Sequence, residues 1–289
     1  MDISGLTLQA PRVSRIVGID LGTTHSAIAV VEAGIPGLLA DPEGNRLVPS
    51  VVHYPEDGPP TVGRAAQRVR VLEPARTIYS IKRFMGRRTA DSPVNYSISG
   101  EPLTVDLGGR RVAPEEVSAD ILRALKQQAE EALEEAVDRA VITVPAYFND
   151  AQRQATRKAG ELAGLTVERI VNEPTAAALA CGLEKLPEQS RVAVYDLGGG
   201  TFDVSILELR EGIFQVLATS GNTQLGGDDV DARIVDWLGK QIEADLDTVQ
   251  QARLREAAEL AKVELSTADS TEIKLPFLAD ELSFEVTLT

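Results

Sequence analysis

Two stretches of this chain, far apart, are built on one plan. Val17-Gly-Ile-Asp-Leu-Gly-Thr-Thr is echoed by Val194-Tyr-Asp-Leu-Gly-Gly-Gly-Thr. Each is an apolar run that ends in Asp-Leu-Gly, then a turn of small residues, then a second strand-like run. A chain that uses this unit twice folds into two halves of like topology, each contributing one hairpin. Two such hairpins facing one cleft can hold a phosphate chain from both sides.

The second copy, Asp196-Leu-Gly-Gly-Gly-Thr-Phe-Asp203, is the stronger signal. Gly198, Gly199 and Gly200 let the backbone approach a ligand and aim several N–H groups at one point, and Thr201 adds a hydroxyl. Asp196 and Asp203 would repel phosphate unless a cation stands between them. Mg²⁺ is often held by one or two carboxylates together with substrate phosphates. A plain glycine-rich β-turn also accounts for these residues. The first copy offers Gly22 and the hydroxyls of Thr23 and Thr24. Asp20 closes a buried strand, where its charge needs a partner. Alone, this copy reads equally as an Asp–Gly turn with satisfied hydroxyls.

Further candidates lie outside the hairpins. Lys82, within Ile81-Lys-Arg-Phe-Met-Gly-Arg-Arg88, could neutralise charge on a transferring phosphoryl group. By composition the same run reads as a solvated basic face. Glu173 precedes Pro174 at a helix start, where a carboxylate also suits the helix dipole. Glu259, Lys262 and Ser266 share one helical face and could contact a nucleoside, though a solvated face explains them as well. His25 and His53 are the only histidines and Cys181 the only cysteine. The sequence therefore holds no His/Cys metal cluster, no nucleophile–histidine pair and no internal disulfide.

The net charge of −15 argues against nucleic acid and anionic membranes as partners. Any phosphate site must then be local. No run approaches the roughly 18 apolar residues of a membrane span. The N-terminus lacks the apolar core of a signal peptide. A cytoplasmic setting is expected.

Periodicity predicts strands at 16–20, 26–31, 140–144, 166–171, 191–195, 202–209 and 213–219. A helix begins at Pro114, with Val117, Ile121, Leu125, Leu133 and Val137 on its apolar side and the acidic run Glu130 to Glu135 on its solvated face. Another is capped by Asn149 or Asp150 and stopped by Gly164. Helices at about 228–244 and 248–265 precede strands at 272–278 and 283–288.

Five segments in order carry a resemblance. They are Ile19-Asp-Leu-Gly-Thr-Thr, Ile142-Thr-Val-Pro-Ala-Tyr-Phe-Asn-Asp-Ala-Gln-Arg-Gln, Asn172-Glu-Pro-Thr-Ala-Ala-Ala, Asp196-Leu-Gly-Gly-Gly-Thr-Phe-Asp and Leu225-Gly-Gly-Asp-Asp. From about Ile16 to its end the chain resembles the nucleotide-binding domain of DnaK-type heat-shock chaperones. Val48-Pro-Ser-Val-Val-His-Tyr and Val216-Leu-Ala-Thr-Ser-Gly are more similar to the HscA branch, which serves iron–sulfur cluster assembly.

The resemblance implies an α/β, actin-like, two-lobed ATPase fold with ribonuclease H-like duplicated sheets and flanking helices. It divides the chain into a tail (1–15), lobe I (16–190, peripheral subdomain about 50–113) and lobe II (191–289, peripheral subdomain from about 228). It implies ATP/ADP, Mg²⁺ and K⁺ as ligands, with the ions near Asp20, Asp196 and Asp203, largely through water. The phosphates go to Gly22, Thr23, Thr24, Gly198, Gly199, Gly200, Thr201 and Lys82. Catalysis goes to Lys82, Glu173, Asp196, Thr201 and Asp203. The rest of the nucleotide falls to Gly226 and Gly227, and its adenosine to Glu259, Lys262 and Ser266. Pro145 and Arg153 match an interlobe switch, and Arg169 a surface for a J-domain co-chaperone. A nucleotide-exchange factor is the second implied partner, and clients bind only through a further C-terminal domain.

The sequence departs from the family in places. Val263 stands where some members place a basic residue against adenine. The family's domain continues past Thr289, so a C-terminally truncated chain with an incomplete lobe II is expected. Three other readings share the hairpins: a small-molecule kinase, an actin-like filament subunit, and an inactive fragment. A kinase should lack Tyr147-Phe-Asn-Asp and Asn172-Glu-Pro-Thr.

Overall fold

The computed structural model describes residues 15–90, 94–242, 244–279 and 282–289. Apart from Arg15, the expected N-terminal tail lies outside them. β1 (Ile16–Asp20) and β2 (His25–Glu32) form the first hairpin, extended by β3 (Ile35–Leu38), while β4 (Val48–Pro49) pairs back on β2. A small sheet of β5 (Val51–His53), β6 (Thr61–Val62) and β7 (Thr77–Tyr79) carries α1 (Arg64–Val69). A second small sheet holds β8 (Ser97–Ser99), β9 (Thr104–Asp106) and β10 (Arg111–Val112). Then come α2 (Pro114–Leu133), β11 (Arg139–Val144), α3 (Asp150–Leu162), β12 (Thr166–Asn172) and α4 (Glu173–Ala180).

The main sheet runs in the order β12-β11-β1-β2-β3, with β1, β11 and β12 parallel. Parallel neighbours need a crossover, and α3 supplies the one between β11 and β12. Val117, Ile121, Leu122 and Leu125 of α2 are buried in one continuous core with Val17, Ile19, Ala140 and Ile142 of the sheet. The caps follow the sequence. Asn149 accepts from the Gln152 N–H at 3.0 Å, and Gly164 ends α3 with φ +76°.

The second half repeats the hairpin. β13 (Arg191–Leu197), β14 (Phe202–Arg210) and β15 (Ile213–Asn222) form an antiparallel sheet. α4 touches β11 and β12 on one side and β13 and β15 on the other. α5 (Gly227–Gly239) and α6 (Thr248–Glu264) pack with the ribbon of β16 (Thr271–Ala279) and β17 (Leu282–Leu288) around a separate core of Leu238, Leu254, Ala258 and Ile273. Among the described residues no helix is long and apolar enough to cross a membrane.

Three boundaries differ from expectation. α2 stops at Leu133 because Glu134 turns left-handed (φ 53°), so Val137 enters the core from the following turn, its N–H held by Glu130 at 3.0 Å. α5 ends at Gly239, a poor helix former, short of 244. β3 was not anticipated: it contains Pro36, which an edge strand tolerates.

Gly160 sits where α3 crosses the sheet. A Cβ there would lie 2.4 Å from Val167 Cγ2 and 3.2 Å from Ile142 Cδ1. Gly160→Ala should therefore lower the thermal unfolding midpoint. Overpacking of about 1–3 kcal/mol outweighs a helix-propensity gain of about 1 kcal/mol.

Candidate functional site

The two hairpin turns meet tip to tip. In the first, a Cβ on Gly22 would sit 2.0 Å from the His25 carbonyl oxygen, so only glycine closes this turn. In the second, a Cβ on Gly199 would lie 1.7 Å from Thr24 Oγ1, and one on Gly200 2.5 Å from Thr23 Cγ2. Missing side chains are what allow the two backbones to approach.

The glycine turn is also oriented. The Gly198 and Gly199 carbonyls accept from the Gly227 and Asp228 N–H groups, at 3.1 and 2.8 Å, at the start of α5. The Gly200 carbonyl accepts from Arg83 Nη2 at 2.8 Å. Peptide planarity then turns the N–H groups of Gly199, Gly200 and Thr201 the other way. The Gly198 N–H closes the turn on the Thr201 carbonyl at 2.9 Å. The Thr24 hydroxyl, packed against Gly199, is buried without a hydrogen-bond partner among the described residues. A buried donor of this kind beside a glycine turn suits an anion such as phosphate.

Lys82 lies beneath the junction. Its Nζ is 2.6 Å from Glu173 Oε1, with the two side chains only 11% and 18% exposed. Burial alone would depress the ammonium, but Glu173, Asp20 and Asp196 hold its pKa above the ordinary lysine value. Lys82 and Arg83 are therefore not on a solvated face, whereas Arg88 at the end of the run is exposed. Ser80 adopts a left-handed conformation (φ 53°), and one 3₁₀ turn follows over Ile81–Phe84. Phe84 and Met85 anchor that turn in the core, which leaves both Lys82 and Arg83 inside. Asp20 accepts from the Thr143 hydroxyl at 2.9 Å, and Asp203 from the Thr201 hydroxyl at 2.9 Å. Burial raises the Asp203 pKa, the Thr201 bond opposes this, and Asp196 adds to it. Among the described residues no three acidic, His or Cys side chains converge to hold a metal directly.

A cavity of about 920 Å³ opens on Asp20, Thr23, Lys82, Glu173, Asp196 and Gly198 and continues along the apolar face of the main sheet. Its size is that of a small-molecule site. Glu259, Lys262 and Ser266 do not line it. Lys262 lies close by, bonded to the Gly227 carbonyl at 3.3 Å and paired with Asp231 at 2.7 Å. Gly226 abuts Gly199, where a Cβ would meet the backbone at 2.5 Å. Ser266 follows the end of α6, in the turn after Glu264.

A second band of contacts, invisible in the sequence, joins the halves. Arg70 bonds Glu259 at 2.5 Å, Arg83 bonds Asp229 at 3.2 Å, and Ser80 bonds Asp228. The guanidinium groups of Arg70 (5.3 Å) and Arg255 (5.4 Å), one from each half, both lie over the Tyr79 ring. Elsewhere, Arg153 donates to the carbonyls of Ala146 (3.3 Å) and Phe148 (2.9 Å) and to Asn172 Oδ1 (2.8 Å), beside Pro145 and Glu173. Arg169 is exposed on edge strand β12.

The family model described as Hsp70 protein matches residues 16–289, and the chain belongs to the Hsp70 family. Members of that family share the actin-like ATPase fold, bind ATP and ADP with Mg²⁺, and work with J-domain proteins and nucleotide-exchange factors.

The Arg70–Glu259 pair has a defined pH signature. Burial would raise Glu259, but the charge and hydrogen bond of Arg70 win and hold it below its ordinary value of 4.5. A depressed carboxyl stabilises the fold above its unfolded pKa and loses that contribution as pH falls through the folded value. Arg70→Met should cost about 1–3 kcal/mol at pH 7. The difference from wild type should close as pH drops below 4.5, followed by denaturant unfolding at each pH.

Proposed function

We propose that this member of the Hsp70 family binds ATP between its two Asp-Leu-Gly hairpins and hydrolyses it to ADP and phosphate. It would thereby act as the ATP-driven module through which a chaperone controls client binding, in protein folding or in iron–sulfur cluster assembly. The observation that carries this reading is the apposition of the two turns over a buried Lys82–Glu173 pair. We take residues 16–190 as lobe I and 191–289 as lobe II, a division supported by the core of the main sheet and that of α5 and α6, with Ala178 and Leu183 packing across it onto the second sheet.

The roles follow from the chemistry of each group. The N–H groups of Gly199, Gly200 and Thr201, with the hydroxyls of Thr23 and Thr24, cradle the phosphates. The Lys82 ammonium offsets charge that develops on the terminal phosphoryl group as its bond to ADP breaks. Glu173 keeps Lys82 in place and orients water, and Asp203 and Thr201 do the same from the second hairpin. Mg²⁺, when bound, supplies charge neutralisation across the phosphates. Asp20, Asp196 and Asp203 would hold it through its waters, with K⁺ as a second ion. Glu259, Lys262 and Ser266, with Gly226 and Gly227, would receive the nucleoside side. Arg153 would pass a change at Glu173, through Asn172, to the Pro145 turn. Arg169, exposed on an edge strand, offers a cation to a J-domain partner. The cell compartment that suits this work is the cytoplasm.

The test is equilibrium binding of Mg-ATP followed by single-turnover hydrolysis. Wild type should bind, and Asp196→Asn should bind more weakly. Lys82→Ala should lower the hydrolysis rate by about 10²- to 10³-fold. A folded chain that binds no nucleotide would overturn the assignment.

A further inference from the structure

Arg83 follows Lys82 on one short turn, yet the two side chains go to different halves. Lys82 pairs with Glu173 of its own half, whereas Arg83 crosses the seam and is only 5% exposed. Its guanidinium meets Asp229 with both terminal nitrogens: Nη1 donates to Oδ1 at 3.2 Å, and Nη2 to Oδ2. Nη2 also donates to the Gly200 carbonyl at 2.8 Å. A planar fork can serve two acceptors in a fixed geometry, which an ammonium on a flexible stem cannot. The approach depends on glycine as well, because a Cβ on Gly200 would lie 2.9 Å from Arg83 Nε.

Both acceptors belong to one unit. Asp229 lies in the first turn of α5, and the start of that helix holds the Gly198 and Gly199 carbonyls. Three consecutive carbonyls of the glycine turn are thus held, two from within the second half and the third by Arg83 from the first. The Gly200 carbonyl and the Thr201 N–H share one planar trans peptide, so the N–H points opposite to the carbonyl and its heading is set by Arg83. An ion pair that only braced the seam would need Asp229 alone. The bond to Gly200 is the part that bracing does not explain.

We propose that Arg83 is a positioning residue for phosphate: it ties the heading of the Thr201 N–H to the docking of the two halves, so that the second hairpin grips phosphate fully only while the halves are closed on each other. The proposal rests on the ATP-binding reading for its effect on affinity, while the bond to Gly200 is independent of that reading.

The experiment compares Arg83→Met with Asp229→Asn. Both remove the ion pair across the seam, and only Arg83→Met frees the Gly200 carbonyl. Arg83→Met should raise the equilibrium Kd for Mg-ATP by about tenfold, and Asp229→Asn by less than about threefold. In the nucleotide-free protein, the carbon-13 shift of the Gly200 carbonyl should move in Arg83→Met and stay near its wild-type value in Asp229→Asn. Where Arg83→Met does not fold, Arg83→Lys, with one nitrogen for two acceptors, gives the same comparison. Equal effects of the two substitutions on Mg-ATP would overturn the proposal and leave the pair as a brace. If wild type binds no ATP, the functional assignment fails. The carbonyl shift then decides alone, a movement confined to the Arg83 variant supporting the contact and equal movements removing it.

Discussion

Lys82 and Glu173 stand 2.6 Å apart and mostly out of water, and much else is arranged around that fact. A buried ion costs several kcal/mol unless it is paired, so the chain must bring counter-charges to the lysine. It brings more than one. Asp20 from the first hairpin and Asp196 from the second act on the same ammonium as Glu173. One cation is thus the common counter-charge of both copies of the repeat, and this fixes the halves relative to each other. It also leaves an excess of carboxylate over ammonium at the junction. A divalent cation carried in with a phosphate chain would correct that imbalance.

Electrostatics can draw the hairpins together only because nothing sterically prevents it. At Gly199 and Gly200 a single added carbon would collide with Thr24 and Thr23. The outer band does different work. Arg70 and Arg255 both lie over the Tyr79 ring at the seam, and Arg70 pairs with Glu259 of α6. These contacts are as buried as the central pair: Tyr79 and Arg255 are only 5% and 8% exposed. Glu259 therefore serves the seam in this structure as well as lying on the helix face that the sequence marked for a nucleoside.

Much of the fold was legible because its signals are local. The Asn149 cap, the Gly164 stop and the alternation in β11 act within a few residues, and the structure follows them. The repeat gave the two hairpins. What could not be read were contacts set by distance in space alone. Arg83 looks like one more charge in a basic run, and only the left-handed Ser80 and the buried Phe84 reveal why it points inward. Arg70 and Arg255 lie on separate helical segments with no shared pattern, and their meeting on Tyr79 depends on how the halves dock. The same holds for Thr143 beneath Asp20, an ordinary residue made significant by a neighbour more than fifty positions away.

The bonds from the start of α5 to the Gly198 and Gly199 carbonyls do more than satisfy a helix end. They make the helix a tiller for the turn. Two of the turn's carbonyls are held by α5 and the third by Arg83 of the first half, so the turn cannot swivel while both stay still, and α5 cannot tilt without moving it. α6 rides with α5 on the same small core. Whatever leans on the outer part of the second half therefore also moves the glycine turn, by a push applied well away from it.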